Sequence, residues 1–304
     1  MPKRVFITGA SGLLGLNFVL QKMQDYKFFL LENTRKINLP SIDIIRMDLS
    51  SCTDIEAGLK SFMPDIVINA AGMTNVDNCD ENPSEANFIN GVLAGNLAKV
   101  SHELGIKFVH ISTDHLFDGT KSFICENAAP DPVNAYGFSK ALGEEMVEKN
   151  NPNSLIVRCN FFGWGPSYKS SFSDFIVHNL SKNKCIKLAD DIYYTPASTM
   201  SLINSIHKLI DMDAGGIFNT IGSQRISKYE FGLEMANIFS LPAELIERVQ
   251  WESLDAKAKR PMDMSLSDRK IRDFIGQDLG TVRQNIIHLK TQIGTSLFER
   301  IGKT

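Results

Sequence analysis

Three glycines near the start of the chain constrain its fold more than any other feature. Gly9, Gly12 and Gly15 follow the short apolar run Val5 to Ile7, and a helical pattern of apolar residues begins at Leu14. A buried strand, a tight glycine turn and a helix N-terminus form a cradle for a pyrophosphate group. Backbone N–H groups approach the phosphates there, and the helix dipole favours their negative charge. An ordinary glycine-rich βα turn is the alternative, but the motifs downstream favour the phosphate site.

Strand and helix patterns alternate through the first half of the chain. We predict strands at residues 27–31, 43–47, 65–69, 107–112 and 154–159, and helices at 54–63, 83–104 and 136–149, with Asp54 as the cap of the first of these helices. Such repeats predict an α/β fold with a Rossmann-like, doubly wound parallel sheet, because right-handed crossovers place helices on both faces of the sheet.

The second half of the chain is less regular. Helices are predicted at 172–180, 200–210 and 228–239, with a late strand at 216–221. We therefore expect a dinucleotide-binding domain of residues 1–166 and about 197–221, and a smaller, discontinuous substrate-binding cap of residues 167–196 and 222–304. The cap would cover the carboxyl ends of the strands, where sheets of this kind bind their ligands.

Composition narrows the classes of partner. The net charge of −3 and the lack of a dense basic stripe argue against nucleic acid. Five scattered cysteines without a CxxC spacing indicate reduced thiols and no metal site. The chain enters a core strand directly, and no apolar run is long enough to cross a bilayer. We therefore expect no signal peptide, no membrane partner and a cytoplasmic location.

Tyr136 and Lys140 provide the strongest chemical signal. Four residues apart on a predicted helix, they share one face. The positive charge beside the phenol is expected to lower the pKa of Tyr136 from about 10 toward the working range. Such a tyrosine exchanges a proton with a carbonyl or alcohol oxygen. A chance surface pair is the alternative, but Ser112 and Thr113 lie at the carboxyl end of a predicted strand, where a hydroxyl can bind the same oxygen.

These motifs resemble those of the extended short-chain dehydrogenase/reductase family, and within it those of the dTDP-4-dehydrorhamnose reductase group. The likeness covers nearly the whole chain, through Thr8 to Gly15, Asn69 to Gly72 with Val76-Asp77, Ser112 to Gly119, Tyr136 to Lys140, and Arg260-Pro261. It implies an NAD(P)-dependent oxidoreductase that reduces a nucleotide-linked 4-keto-6-deoxy sugar with NADPH, in polysaccharide biosynthesis.

The resemblance assigns catalytic roles to three residues. Tyr136 would donate the proton to the ketone oxygen, and Thr113 would hydrogen-bond the same oxygen. Lys140 would hold the hydroxyls of the nicotinamide ribose and keep the tyrosine acidic, while Asn90 would orient the groups behind Lys140. The cofactor supplies the hydride, and the protein supplies the geometry and the proton.

The choice of cofactor depends on the segment Glu32 to Lys36, after the second strand. An acidic residue there binds the adenosine ribose 2′-hydroxyl, whereas a basic one accommodates a 2′-phosphate. With Asn33 at the discriminating position, Arg35 and Lys36 are free to meet a phosphate, so NADP is favoured and NAD is the alternative. In the other interpretation, both cations are solvated loop charges. Asp48 would bind the adenine amino group. The expected cofactor-binding residues are Gly9, Ser11, Gly12, Leu13, Leu14, Gly15, Asn33, Arg35, Asp48, Leu49, Ala70, Ala71, Gly72, Asn90, Ser112, Tyr136 and Lys140.

Departures from the family pattern leave the substrate open. Sugar-nucleotide 4,6-dehydratases of this family need a glutamate where this chain has His115, so dehydration is not expected. Rhamnose-type reductases carry a Gln-x-Gly-x-Pro-Thr loop, in which this chain has Tyr194 in place of the glycine, and they often have tryptophan at the position of Phe161. Tyr194 should fill or reshape the pocket, which puts dTDP-4-dehydrorhamnose itself in question. The expected substrate-binding residues are Thr74, Asp114, His115, Asn160, Phe161 and Arg260.

Three of the residues near the expected site have two interpretations each. His115 either contacts the sugar or packs as a neutral ring under the cap. Arg260 either pairs with a substrate phosphate, to which its planar fork is suited, or is a surface arginine. Trp164 either walls the sugar or nucleoside site or has a plain packing role.

Two other functions stay open. An NAD-dependent sugar-nucleotide epimerase shares the fold and the catalytic set, but it returns its hydride and holds its cofactor tightly. A non-catalytic regulatory subunit would use the fold to bind NADP and a partner enzyme, although the intact Tyr136 and Lys140 pair argues against it. Homodimerisation is expected by analogy with the fold class alone.

Overall fold

A parallel sheet lies at the centre of the chain, which the computed structural model describes over residues 2–33, 35–37, 39, 42–254 and 257–303. In chain order, the strands are β1 (Lys3–Thr8), β2 (Tyr26–Leu31), β3 (Asp43–Ile45), β4 (Ile66–Asn69), β5 (Lys107–Thr113), β6 (Leu155–Cys159), β7 (Phe161–Phe162), β8 (Ile186–Ala189), β9 (Tyr193–Tyr194), β10 (Ala197–Ser198), β11 (Gly216–Asn219), β12 (Ile226–Ser227) and β13 (Ile246–Val249). The central sheet has the order β11-β6-β5-β4-β1-β2-β3, and every neighbouring pair in it is parallel. The predicted doubly wound α/β fold is confirmed.

Helices cover both faces of this sheet. In chain order, they are α1 (Leu13–Lys22), α2 (Cys52–Phe62), α3 (Val76–Glu81), α4 (Pro83–Asn87), α5 (Leu93–Glu103), α6 (Ala135–Asn150), α7 (Phe172–Ser181), α8 (Thr199–Asp211), α9 (Lys228–Phe239), α10 (Arg269–Ile275), α11 (Val282–Thr291) and α12 (Ser296–Lys303). A π-helical turn, Phe88–Val92, joins α4 to α5. Over the described residues, we find no helix with the length and apolar character that crossing a membrane requires.

The central strands are apolar on both faces, as buried parallel strands are. In β1, Val5 and Ile7 belong to the cluster that includes α1, whereas Phe6 between them belongs to the cluster that includes α2 and α5. This alternation explains why the strands appear in the sequence as continuous apolar runs.

The strand order reverses at β1, which pairs with β2 on one side and with β4 on the other. A crevice opens outside the carboxyl ends of the strands at such a reversal, and doubly wound sheets bind their ligands there. Because β1, β4 and β5 end at Thr8, Asn69 and Thr113, the predicted motifs lie along this edge.

Smaller sheets and helices form the region beside the carboxyl edge. β8 pairs with β13, β9 pairs with β12, and β7 pairs with β10. Phe231 of α9 contacts the rings of Phe162, Phe172 and Tyr194, which ties these segments together. We propose that the division between a dinucleotide-binding domain and a discontinuous cap follows the boundaries expected from the sequence.

Several local predictions are wrong. Ser51, and not Asp54, caps α2, because its hydroxyl accepts a hydrogen bond from the Asp54 N–H at 3.1 Å. β3 ends at Ile45, and the side chain of the next residue, Arg46, donates to the carboxylate of Glu32. The helix expected over 83–104 contains the π turn, and the late strand ends at residue 219.

Candidate active site

The glycine turn brings β1, α1 and the loop after β4 into close contact. Gly9 has a φ of +69°, and a Cβ built on it would lie 2.4 Å from the carbonyl oxygen of Ala70. A Cβ on Gly15 would lie 2.3 Å from the carbonyl oxygen of Gly9, so α1 packs directly on the turn. Gly12 is the N-cap of α1 and has no side chain that could satisfy the first N–H groups of the helix. These groups, from Leu13 onward, are placed to meet a phosphate.

The buried carboxylate of Glu32, directly after β2, is hydrogen-bonded to other groups of the protein. It accepts hydrogen bonds from the Ile37 N–H at 3.0 Å and from Nη2 of Arg46 at 2.6 Å. The hydrogen bond from Arg46 holds the pKa of Glu32 below its usual value. The acidic side chain in this segment is therefore already paired with a cation of the protein.

Arg35 is held beside the glycine turn by Tyr168, a residue that the sequence analysis does not single out. The guanidinium carbon of Arg35 lies 3.9 Å from the centre of the Tyr168 ring. The Tyr168 hydroxyl donates a hydrogen bond to the carbonyl oxygen of Ser11 at 2.6 Å. The ring thus places an exposed cation next to the expected phosphate cradle, which supports the phosphate interpretation of Arg35 over the solvated one.

The other predicted cofactor residues lie along the same edge. Asn33 is exposed at the end of β2. Oδ1 of Asp48 accepts hydrogen bonds from the N–H and the hydroxyl of Ser50, at 2.8 Å and 2.7 Å, and half-buried Leu49 follows it. Ala71 donates its N–H to the hydroxyl of Thr8, at the end of β1, at 3.1 Å. Their roles toward a cofactor stay predictions.

Asn90 joins the loop after β4 to α6. It lies buried in the π turn, where its Oδ1 accepts from the Met73 N–H at 2.8 Å. Its Nδ2 donates to the Met73 carbonyl at 3.0 Å and to the Ser139 hydroxyl at 2.8 Å. A Cβ on Gly72 would lie 2.9 Å from Oδ1 of Asn90. Asn90 thus supports this loop and Ser139, and His110 lies next to Lys140. The role of Asn90 toward the groups behind Lys140 stays a prediction.

The fold brings Thr113, Tyr136 and Lys140 together in a buried position. Their exposed fractions are 5%, 9% and 5%. Asn134 starts α6 just before Tyr136, because its Oδ1 accepts a hydrogen bond from the Gly137 N–H at 2.8 Å. The predicted catalytic residues thus lie at the carboxyl end of β5 and on the first turns of α6, two strands from the reversal at β1.

The electrostatics of this group differ from the expectation. Burial raises the pKa of Tyr136 well above its ordinary value, the Asp114 charge raises it further, and contact with Thr113 acts in the opposite direction. Lys140 donates from Nζ to the Ile111 carbonyl at 2.8 Å, and burial lowers the pKa of Lys140 to about 8. The predicted lowering of the Tyr136 pKa by Lys140 is therefore wrong. Tyr136 is protonated at neutral pH, the state that a proton donor needs.

His115 and Asp114 lie beside this group. The His115 ring meets the Tyr136 ring edge-on, with 5.4 Å between centres. Burial lowers the pKa of His115 to about 3, with help from the charges of Lys228 and Arg260, so its ring is neutral. Asp114 accepts a hydrogen bond from Nδ2 of Asn160 at 2.6 Å, and burial raises the pKa of Asp114 to about 6.

Tyr194 and Lys228 approach from the cap side, and the sequence analysis does not assign Lys228 a role. β9 pairs with β12, which ends directly before Lys228. Nζ of this half-buried lysine lies 3.4 Å from the centre of the Tyr194 ring. Burial lowers the pKa of Lys228 to about 8, and the Asp114 charge opposes the shift. Tyr194 is buried and packs on Phe231, and its effect on the shape of the substrate pocket stays a prediction.

Several buried polar atoms at the site have no hydrogen-bond partner within the described ranges. They are Oγ of Ser112, Nδ1 of His115 and Oη of Tyr194. Buried polar groups in folded proteins are normally satisfied, so these atoms are candidates for hydrogen bonds to a polar ligand or to water.

The remaining predicted substrate residues border the site. Thr74 accepts a weak hydrogen bond from Nζ of Lys169 at 3.4 Å, and half-buried Phe161 pairs with β10. Arg260 is half-buried, with Nη2 3.3 Å from Oδ1 of Asp77, so the surface interpretation of Arg260 is wrong. Its role toward a substrate phosphate stays a prediction.

Trp164 follows the packing interpretation. It is buried, its Nε1 donates to the Leu289 carbonyl at 3.0 Å, and its ring contacts the rings of Phe239 and Phe298 edge-on. All of these partners belong to the α9, α11 and α12 segments, which Trp164 joins to the end of β7.

A family model described as the RmlD substrate binding domain matches residues 3–293. The chain belongs to this family. Its resemblance to the extended short-chain dehydrogenase/reductase family and to the dTDP-4-dehydrorhamnose reductase group is confirmed.

Known members resemble the chain over most of its length. It is 29% identical over 292 residues to the probable low-salt glycan biosynthesis reductase Agl14 of Haloferax volcanii, covering 94% of this chain and 96% of that protein. It is 27% identical over 294 residues to the methionine adenosyltransferase 2 subunit beta of Xenopus laevis, covering 90% of this chain and 84% of that protein. The structure of dTDP-4-dehydrorhamnose reductase from Bacillus anthracis in complex with NADP aligns with a TM-score of 0.82 at 25% identity, covering 96% of this chain and all (100%) of the other.

Within this RmlD-family chain, sequence reasoning missed Tyr168, Lys228 and His110. Tyr168 and Lys228 come from segments without a recognisable motif, so only the fold reveals them. His110 carried a usable signal, because a histidine within an otherwise apolar strand needs polar partners when it is buried.

Proposed function

We propose that this chain is an NADPH-dependent reductase of a nucleotide-linked 4-keto-6-deoxy sugar. The observation that carries the proposal is that Thr113, Tyr136 and Lys140 are buried together at the carboxyl edge of the sheet, with Thr113 in contact with Tyr136, two strands from the glycine turn. Two of the similar proteins are named as reductases, one of glycan biosynthesis and one of dTDP-4-dehydrorhamnose.

The residues around the turn fit a dinucleotide with a 2′-phosphate. A side chain at Gly9 would fill the cradle against Ala70, and the first N–H groups of α1 have no side-chain cap. The Glu32 carboxylate is paired with Arg46, while Arg35 is held next to Ser11 by Tyr168. A phosphate on the adenosine ribose would meet a cation there rather than a carboxylate. NADP is therefore the cofactor we propose, and NAD is the alternative.

The proton step belongs to Tyr136. NADPH, when bound, supplies the hydride for the ketone carbon. As negative charge develops on the ketone oxygen, Tyr136 donates its proton from Oη and Thr113 hydrogen-bonds the same oxygen. Lys140 would bind the ribose hydroxyls of the cofactor, and its hydrogen bond to the Ile111 carbonyl fixes the direction of its side chain.

The polar atoms without partners would bind the sugar. Oη of Tyr194, Nδ1 of His115 and the Lys228 ammonium offer donors and acceptors to sugar hydroxyls, and Asp114 balances the lysine charge. Binding would satisfy groups that are otherwise buried without a hydrogen bond, and this gives the site a preference for a hydroxylated ligand.

A panel assay tests the proposal. The purified protein is titrated with NADPH and NADH, and 4-keto-6-deoxy sugars linked to dTDP, UDP, GDP or CDP are then added while absorbance reports cofactor oxidation. We expect oxidation of NADPH with at least one of them. Binding of NADPH without oxidation across the panel would contradict the reductase.

A subunit of a larger enzyme is the second candidate. The relative that favours it is a subunit of methionine adenosyltransferase. Co-purification with a larger enzyme, together with no reductase activity on any ketone, would support this candidate. An epimerase would hold its cofactor through purification without net oxidation. Homodimerisation and a cytoplasmic location stay predictions.

A further inference from the structure

A buried row of side chains connects the strand that enters the glycine turn with Lys140. The hydroxyl of Thr8 donates to Oδ1 of Asn69 at 2.6 Å, and Nδ2 of Asn69 lies 3.1 Å from Nδ1 of His110. Nε2 of His110 lies 3.5 Å from Nζ of Lys140. Thr8, Asn69 and His110 are direct neighbours in the register of β1, β4 and β5, so the sheet itself sets their spacing. None of the four is more than 5% exposed.

The donors and acceptors available along this row fix the direction of its hydrogen bonds. The Thr8 hydroxyl accepts from the Ala71 N–H at 3.1 Å, so its single hydrogen is directed to Oδ1 of Asn69. The amide of Asn69 then presents an N–H to Nδ1 of His110. Turning the amide round would leave the Thr8 hydrogen without an acceptor in this row, which buried groups rarely tolerate.

The direction fixes the tautomer of His110. Because Nδ1 accepts, the proton of the neutral ring lies on Nε2, the atom that faces Lys140. Burial and the Lys140 charge keep the pKa of His110 far below its usual value, so the ring stays neutral. An N–H that points at Nζ suits a lysine amine better than an ammonium, since the amine has a lone pair to accept with.

We propose that His110 and Asn69 are positioning residues of the catalytic site, which hold Lys140 toward the Ile111 carbonyl and favour the uncharged form of its amine. The proposal rests on the reductase function proposed above and deepens it. Lys140 would then alternate between amine and ammonium near neutral pH. The burial that lowers the pKa of Lys140 acts in the same direction.

Other charged and titratable groups also act on Lys140. Glu144, on α6 itself, raises the pKa of Lys140, and so does the buried thiol of Cys159 on β6. Glu144 is bound to Arg158 at 2.7 Å, which fixes its contribution. Lys228, on α9, titrates in the same range but belongs to the sugar side, outside the row. A change at Thr8 leaves all of these charged and titratable groups in place.

The test uses Thr8→Val, which keeps the volume and removes the hydroxyl. The Asn69 amide is then free to turn, so that Nδ1 of His110 gains the proton and Nε2 becomes an acceptor for the Lys140 ammonium. Two quantities are measured on the full chain: the ¹⁵N shifts of the His110 ring, which report the tautomer without any cofactor, and the pH dependence of the NADPH dissociation constant. Thr199→Val is the matched control, because its buried hydroxyl has no hydrogen-bond partner in the described part of the chain.

We expect the wild type and Thr199→Val to show a neutral Nε2–H tautomer of His110. Their NADPH affinity should be lost as the pH rises, with a midpoint near the Lys140 pKa of about 8. In Thr8→Val, the tautomer should change and the midpoint should rise by about one pH unit, the size of shift that one hydrogen bond produces. Affinity itself is a weaker readout, because Ala71 loses its acceptor.

An Nδ1–H tautomer in the wild type would overturn the proposal, and so would a Thr8→Val protein whose tautomer and midpoint are unchanged. If Thr8→Val does not fold, His110→Gln replaces it, since its amide oxygen can turn to the ammonium and should raise the midpoint in the same way. The ring shifts decide the matter even if the protein turns over no keto sugar. Reduction of a keto sugar by a protein with the wrong tautomer would uphold the proposed function and reject this inference.

Discussion

The guanidinium of Arg35 is stacked on the ring of Tyr168, 3.9 Å from its centre, and the hydroxyl of the same ring is bound to the Ser11 carbonyl. A cation from the end of β2 is thereby placed beside the glycine turn, although Arg35 lies far from this turn in the sequence. The arrangement supports the proposed contact between Arg35 and a phosphate on the adenosine ribose.

Arg35→Ala should weaken NADPH binding about tenfold and leave NADH binding nearly unchanged, because one charge-assisted contact to a phosphate is lost. The matched control is Lys36→Ala, which removes a neighbouring exposed cation that does not stack on Tyr168. Fluorescence titration with both nucleotides measures the ratio of affinities. Equal losses for NADPH and NADH would remove Arg35 from the cofactor choice.

Lys228→Met should raise the KM for the sugar nucleotide about tenfold while the NADPH dissociation constant stays the same. The side chain lies over Tyr194 on the cap side, so its charge acts on the sugar and not on the dinucleotide. Methionine keeps the unbranched shape, which limits the change to the charge. Steady-state kinetics and cofactor titration measure the two constants. A parallel loss of NADPH affinity would contradict this and show that Lys228 acts on the dinucleotide.

Asp114 should produce an acid limb in the pH profile of kcat/KM. Burial raises the pKa of Asp114 to about 6, so its charge is present above that pH and is lost as the pH falls through it. His115 has a pKa of about 3 and stays neutral throughout this range. Asp114→Asn should therefore abolish the limb near pH 6, whereas His115→Gln should keep it. A limb that survives in Asp114→Asn would assign it to another group.

The buried ion pair of Arg158 and Glu144 should dominate the local stability of α6 on the sheet. Their side chains are 2% and 3% exposed, and Nη2 of Arg158 lies 2.7 Å from Oε2 of Glu144. Glu144→Gln leaves a buried guanidinium without its counter-charge and should lower the free energy of unfolding by about 3–5 kcal/mol. The exposed pair of Lys60 and Glu56 is the control, and Glu56→Gln should cost under about 1 kcal/mol. Urea denaturation at pH 7 distinguishes the two, and equal costs would contradict this account.

Most of the fold could be predicted from local patterns in the sequence. α9 begins and ends at the predicted residues 228 and 239, because a Ser227 capping box precedes a regular apolar stripe. The glycine turn and the pair of Tyr136 and Lys140 were also predicted, since each depends on fixed spacing within one short segment. What local patterns cannot contain is the meeting of distant segments, such as Tyr168 with Ser11 or Lys228 with Tyr194.

The prediction of the Tyr136 pKa failed for the same reason. The sequence places a cation four residues from Tyr136, but only the fold shows that the Lys140 amine is bound to the Ile111 carbonyl and flanked by His110. Burial, which no single segment reveals, then outweighs the expected effect of the charge on the phenol. The π turn at Asn90 is a further case, because its irregular backbone is stabilised by the loop after β4.

The most direct measurement is NADPH oxidation by wild-type protein and Tyr136→Phe, with dTDP-4-keto-6-deoxy sugars and the corresponding sugars linked to other nucleotides. The account predicts turnover by the wild type and a loss of about a thousandfold in kcat for Tyr136→Phe, with NADPH affinity retained, because only the proton is removed. Undiminished turnover by Tyr136→Phe, or no turnover of any sugar nucleotide by the wild type, would contradict it.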